Sequence, residues 1–313
     1  MKEKHLSIRE NMVRSIGVAF AYSAMMFIGV FIYMILYLLV RAWLIGDFTV
    51  DQATTDTMET GWPYLIACGL SFLLLTYLHR KQPIVWKRAD APQMTGKRFG
   101  QLLAVFMMGQ LVFTALANLG ESLANVLGYT ILPEVEMASA GSPSLSMFFY
   151  ASFVGPILEE MAFRGTIMPY LVKHGRLFAI TISAFFFGLM HLNIIQSPFA
   201  FLIGLVLGYV SLTYGLFWAV VLHIVNNFVF GDLLFQLLSP FSPAVQDGVN
   251  QAISVVFFIL GAWVLYQHRE AIKDYLQTYR TAPGTYRRAL DYWPFILYTA
   301  LALFQMITSL QQI

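Results

Sequence analysis

The chain has 313 residues, 58% of them hydrophobic and only 12% charged, with a formal net charge of +2. Soluble globular domains carry about 25% charged residues, so this composition excludes that class and describes a protein whose solvent is largely lipid. The one cysteine, Cys68, lies in an apolar run, which excludes a disulfide framework and a cysteine-built zinc site, and no basic patch away from the apolar borders points to nucleic acid.

Apolar runs of about 17–25 residues can each cross a bilayer as a helix. They fall at 16–40, 62–78, 99–119, 147–172, 177–195, 198–214, 216–236, 249–266 and 293–310. The expectation is an all-α, polytopic integral membrane helix bundle with about nine transmembrane helices. The first run is too long for a signal-peptide core and lacks a clear small-residue cleavage site, so it reads as a retained span.

Basic residues orient these spans. They cluster in the N-terminal tail (Lys2, Lys4, Arg9, Arg14), after the second span (Arg80, Lys81, Lys87, Arg88, Lys97, Arg98), at Lys173 and Arg176, and before the last span (Arg269, Lys273, Arg280, Arg287, Arg288). An alternating topology puts 17 of the 19 lysines and arginines on one side. The positive-inside rule makes that side cytoplasmic, with the N-terminus inside and the C-terminus outside. Asp47, Asp51, Asp56, Glu59, Glu121, Glu134 and Glu136 fall in the opposite loops, and Trp43, Trp62, Trp218 and Trp293 mark span ends. This topology fits a bacterial plasma membrane or the endoplasmic reticulum, and the short loops favour the bacterial membrane. Tyr214-Gly215 reads as a tight turn, and Gly204 with Gly208 as a small-xxx-small packing pair. The stretch from His268 to Tyr292 mixes bases with Tyr275, Leu276, Tyr279 and Tyr286. It reads as an amphipathic segment on an anionic surface or as a solvated linker.

The informative stretch is Gly155-Pro156-Ile157-Leu158-Glu159-Glu160-Met161-Ala162-Phe163-Arg164. An ionisable side chain at the centre of a membrane helix costs roughly 3 kcal/mol or more, so it is a functional candidate by default. Side chains four apart share a helical face, which pairs Glu160 with Arg164. Glu159 lies about 100° round the helix and has Phe163, not a cation, four residues on. The unpaired Glu159 is therefore the candidate for chemistry. Gly155-Pro156 reads as a kink that frees the carbonyl of Ser152. Two further spans are polar inside, with His191 four residues after Phe187, and Asn227 four after His223. Helical arithmetic puts Glu159 and His191 at similar depth, roughly 21–22 Å from the basic edge. The fourth, fifth and seventh spans could thus meet at one polar cavity.

Such a cavity suits water activation. A carboxylate in a low-dielectric site can take a proton from water, a histidine can share that proton or hold the water, and a second histidine and an amide can donate to a developing oxyanion. That set describes amide hydrolysis. Glu159, His191 and His223 could equally ligate a divalent metal such as zinc, although no His-Glu-x-x-His helix is present. Taken singly, His191 suits packing, Asn226 and Asn227 suit interhelical hydrogen bonds, and Glu160–Arg164 suits a structural ion pair. Their conjunction argues against packing alone.

Glu-Glu-x-x-x-Arg (Glu159, Glu160, Arg164), Phe-x-x-x-His (Phe187, His191) and His-x-x-x-Asn (His223, Asn227) resemble, in order and spacing, the CPBP family. This is the family of CAAX proteases and bacteriocin-processing proteins, also called Abi. The resemblance covers about residues 100–266 and leaves out the first, second and last spans. It implies that Glu159 and His191 activate the water, that His223 and Asn227 form the oxyanion hole, and that Glu160 and Arg164 support them. It implies an intramembrane metallo- or glutamate endopeptidase whose partners are membrane lipid and a peptide or membrane-protein substrate. A prenylated protein or a bacteriocin-like peptide are the substrate types in such relatives. The corresponding division is residues 1–98 as an N-terminal pair of spans with a basic loop, 99–266 as the protease core, and 267–313 as linker and last span. The alternatives are a non-catalytic bacteriocin-immunity or regulatory membrane protein, and a proton-relaying transporter.

Overall fold

A computed structural model describes residues 7–44, 50–139 and 141–313. Lys2, Lys4, His5 and Asp47 lie outside the described residues, as does the side chain of Asp51. The chain is a helical membrane bundle. Five helices are long and apolar enough to cross a bilayer: α1 (Ile8–Leu44), α4 (Gly96–Val126), α8 (Gln196–Tyr214), α9 (Leu216–Leu238) and α10 (Pro243–Gln267). Shorter apolar helices are α3 (Trp62–Leu78), α7 (Arg176–Leu189) and α13 (Trp293–Thr308). Between α5 (Leu132–Ser139) and α7 runs α6, a long interrupted helix over 145–174 that carries the two glutamates. The loops add α2 (Val50–Glu59), α11 (Arg269–Thr278) and α12 (Thr285–Leu290), and a two-residue antiparallel pairing of Tyr129–Thr130 with Gln311–Gln312.

Local chemistry sets the boundaries. Ser7 and Glu10 form a reciprocal cap on α1: the Glu10 N–H donates to Ser7 Oγ at 3.3 Å and the Ser7 N–H to Glu10 Oε2 at 2.6 Å. Helix α1 therefore starts at residue 8, earlier than the predicted 16, and its 37 residues span about 55 Å. The turns α6–α7 and α8–α9 pivot on Gly175 (φ 131°) and Gly215 (φ 103°), a region closed to side chains bearing Cβ. The 214–215 turn is held by the Phe217 N–H donating to the Trp86 carbonyl at 3.0 Å.

The predicted helix over 177–195 is cut short. Helix α7 ends at Leu189, and Leu192 adopts a positive φ of 52°. The cause is Asn193, whose Oδ1 accepts from the N–H groups of Ile195 and Gln196 and so caps α8, while its amide donates to the Glu134 carbonyl. His191 thus sits in a turn just past the helix end, and its depth cannot be counted as helical rise.

Helix α6 is the hub, packed by α1, α3, α7 and α9. One continuous core joins Met12, Ala19 and Tyr22 of α1, Cys68 and Leu75 of α3, and Phe295 of α13 to Met161, Phe163 and Ile167 of α6 and Phe178 and Phe186 of α7. Close approach makes this possible: a Cβ on Gly204 would lie 3.0 Å from Ala184 Cβ, and one on Gly29 2.5 Å from Ala67 Cβ. The basic linker folds into α11 and α12, and α11 is exposed along nearly its whole length. Arg176 donates to Tyr275 Oη at 3.0 Å and its guanidinium lies 4.8 Å from the Tyr279 ring, linking α11 to the start of α7.

Candidate active site

Helix α6 carries two π-helical turns, Tyr150–Val154 and Phe163–Ile167, on either side of the segment Gly155–Ala162 that holds the glutamates. Helix α9 carries a third, Val225–Leu233, beginning two residues after His223. Such turns gather at functional sites because they re-aim side chains within a continuous helix. The first refines the expected kink. Pro156 has no N–H for the Ser152 carbonyl, and the chain takes up the defect with a widened turn in which the Gly155 N–H donates to the Tyr150 carbonyl.

The ion pair forms as the spacing dictates. Arg164 Nη1 donates to Glu160 Oε1 at 2.8 Å, and neither side chain has any exposed surface. Three further contacts fix the guanidinium and its partner. Arg164 Nη2 donates to the Gly204 carbonyl at 3.1 Å, the guanidinium lies 4.2 Å from the centre of the Phe187 ring, and His223 Nδ1 sits 3.2 Å from Glu160 Oε1. Glu160 Oε2 and Arg164 Nε remain buried without a partner among the described residues.

The histidine tautomers follow from these partners. His191 Nδ1 faces the Phe187 carbonyl at 2.9 Å, which only accepts, so Nδ1 carries the hydrogen and Nε2 offers a lone pair. His223 Nδ1 faces the Glu160 carboxylate, so its Nε2 is likewise the acceptor, and it lies 3.8 Å from Glu159 Oε2. Among the described residues, no lysine or arginine forms a salt bridge with Glu159. Its side chain is 12% exposed, and its charge also acts on His191, Tyr22, Cys68 and Tyr150. The Phe187 ring packs edge-on to both imidazoles, at 5.1 and 5.9 Å. Asn227 sits on the same side of α9: its amide donates to the Ala151 carbonyl at 3.0 Å and its Oδ1 accepts from Asn226 at 2.8 Å. One Asn227 N–H is left over.

The structure therefore gathers Glu159, His191 and His223 on one side and Glu160, Arg164 and His223 on the other, with His223 touching both glutamates. Asn227 is held one turn away. Neither the 860 Å³ cleft between the start of α4 and the end of α10 nor the 570 Å³ cleft beside Arg9 is lined by these residues. Two imidazoles with anchored Nδ1–H groups suit a metal chemically. Among the described residues, however, no three His, Cys, Asp or Glu side chains converge closely enough to hold a metal ion. The chemistry proposed below runs on side chains and water.

Sequence reasoning missed one polar member. Asp232, 4% exposed, accepts from Ser152 Oγ at 2.6 Å and from the Ser142 N–H at 3.0 Å, tying α9 to α6 beside the first π-turn. The signal was present: Asp232 is an acid inside the apolar run 216–236. Gly204 was read for packing alone, yet its carbonyl also holds Arg164.

The structure is thus a helical membrane bundle that brings a carboxylate and two imidazoles together among its helices. Residues 141–229 match the family model described as type II CAAX prenyl endopeptidase Rce1-like, which is consistent with a CAAX protease family. The match is under a third of the chain, and all seven motif residues fall inside it. Neither the curated proteins nor the solved structures give a match.

Proposed function

We propose that the protein is an integral membrane endopeptidase that hydrolyses a peptide bond with water activated by Glu159 and His191. The observation that carries this reading is that, among the described residues, Glu160 has a salt bridge to arginine and Glu159 has none to lysine or arginine, while His191 and His223 have their Nε2 atoms free of protein hydrogen bonds. A water held between Glu159 and His191 Nε2 loses a proton to Glu159 as its oxygen bonds to the substrate carbonyl carbon. The carbonyl oxygen becomes an oxyanion, met by the remaining Asn227 N–H and by His223 Nε2 once that atom is protonated.

The 3.8 Å contact between Glu159 and His223 is the route for that proton. Glu160 remains the acceptor for His223 Nδ1–H in either state. Collapse of the tetrahedral intermediate breaks the C–N bond, and the proton passes to the leaving amine. Glu160 and Arg164 are positioning residues that never touch the substrate. The substrate is a peptide or protein reaching the site from the membrane, with a prenylated protein the class that the Rce1-like domain favours. The basic residues favour an N-terminus in the cytoplasm, which fits a bacterial plasma membrane or the endoplasmic reticulum, and the short loops favour the bacterial membrane.

The test compares new peptide termini in membranes that hold either the full chain or Glu159→Gln at matched levels, in a host supplied with a prenylated CAAX-box protein. Termini formed only with the unchanged chain are expected. Equal cleavage by a folded Glu159→Gln protein would end the assignment of Glu159 as base.

A further inference from the structure

The 570 Å³ cleft lies where the start of α1, the end of α6 and the start of α12 meet, on the face that carries most of the basic residues. Arg9, Lys173 and Arg288 line it, one from each element, together with Ser7, His174 and Thr285. None of the three cations has an ion-pair partner among the described residues, and the carboxylate of this turn, Glu10, accepts from the Ser7 N–H. His174 adds a donor. The Asn11 amide lies 2.9 Å from His174 Nε2 and donates to it, which leaves the ring hydrogen on Nδ1. Thr285 is only 3% exposed, so the hydroxyl-bearing wall of the cleft is built into the fold rather than hung on its surface.

Cations brought together from three separate segments repel one another unless something shares them. Two guanidiniums, an ammonium, an imidazole N–H and a hydroxyl make a set rich in donors, matched by a compact anion with several oxygen acceptors. We infer that this cleft binds a phosphate group, and that the bound phosphate ties the start of α1 to the end of the helix bearing Glu159 and Glu160. The same chemistry is offered by an anionic phospholipid headgroup at the membrane edge and by a free phosphate compound. Each juxtaposed cation contributes roughly fivefold to such binding.

The full chain in detergent is titrated with dioctanoyl phosphatidylglycerol, with dioctanoyl phosphatidylcholine, and separately with inorganic pyrophosphate, following thermal unfolding and intact-complex mass. Stabilisation by phosphatidylglycerol but not phosphatidylcholine or pyrophosphate identifies a lipid headgroup, whereas stabilisation by pyrophosphate identifies a free phosphate. In either case Lys173→Gln/Arg288→Gln is expected to bind roughly thirtyfold more weakly, and Arg269→Gln, elsewhere on the basic face, to bind as the unchanged chain does. Should the double variant not fold, Arg9→Gln is measured in its place, with roughly fivefold weakening expected. No binding of either anionic probe, or equal binding by the cleft variants, overturns the inference.

Discussion

Replacing Arg164 with Met keeps the volume of the side chain but removes its charge. Glu160 would then be a carboxylate with no exposed surface, held only by His223, and the Gly204 carbonyl would lose its donor. Breaking a buried pair by removing one partner costs about 3–5 kcal/mol, because the survivor stays charged and buried. Glu160→Gln alone should cost a similar amount, since the guanidinium then keeps only Gly204 and the Phe187 ring. The double variant Glu160→Gln/Arg164→Met removes both charges, while the amide introduced in place of the carboxylate still offers an oxygen to His223 Nδ1–H. It should be destabilised by much less than the sum of the single changes, with a coupling of about 2–3 kcal/mol. Because His223 remains oriented, the double variant should also cleave faster than Arg164→Met. Reversible unfolding in mixed detergent, followed by circular dichroism, measures the four corners of the cycle. Effects that add to within about 0.5 kcal/mol would refute the claim that the pair acts as one unit.

Three other outcomes follow from the same geometry. Asn227→Ala should lower kcat by roughly 10²–10³ with little change in KM, as expected for an oxyanion donor, and unchanged kcat would remove it from that role. Dialysis of the full chain against a chelator should leave cleavage intact; loss of activity restored by added zinc would show that the site closes around a metal. Burial first, then the neighbouring Lys173 and Arg288, holds His174 below the usual imidazole range. A lowered imidazole stabilises the fold above its unfolded value and loses that contribution as the pH falls through its folded value. The chain should therefore lose stability below about pH 6.5 by an increment absent from His174→Leu, seen as a smaller shift in the unfolding midpoint.

Much of this was legible in the chain itself. Spacing four apart on a helix is a local property, so the Glu160–Arg164 pair could be read from the sequence and is present at 2.8 Å. The membrane helices were equally plain, because about 30 Å of hydrocarbon demands apolar length whatever the neighbours do. Glycine at 215 announced its turn, since only a residue without Cβ accepts φ 103° freely.

What tertiary structure decided was everything set by a distant partner. His191 left its helix because Asn193 capped the next one and reached back to Glu134, 59 residues away. The tautomer of His223 depends on Glu160, 63 residues earlier, and Asp232 found its role only through Ser152, 80 residues away. Packing of α9 against α6 likewise sets which glutamate meets His223 Nε2. Local periodicity determines which side chains can share a face. Which hydrogen-bonding groups are consumed, and which are left free for chemistry, is settled only when buried polar atoms must find partners across the bundle.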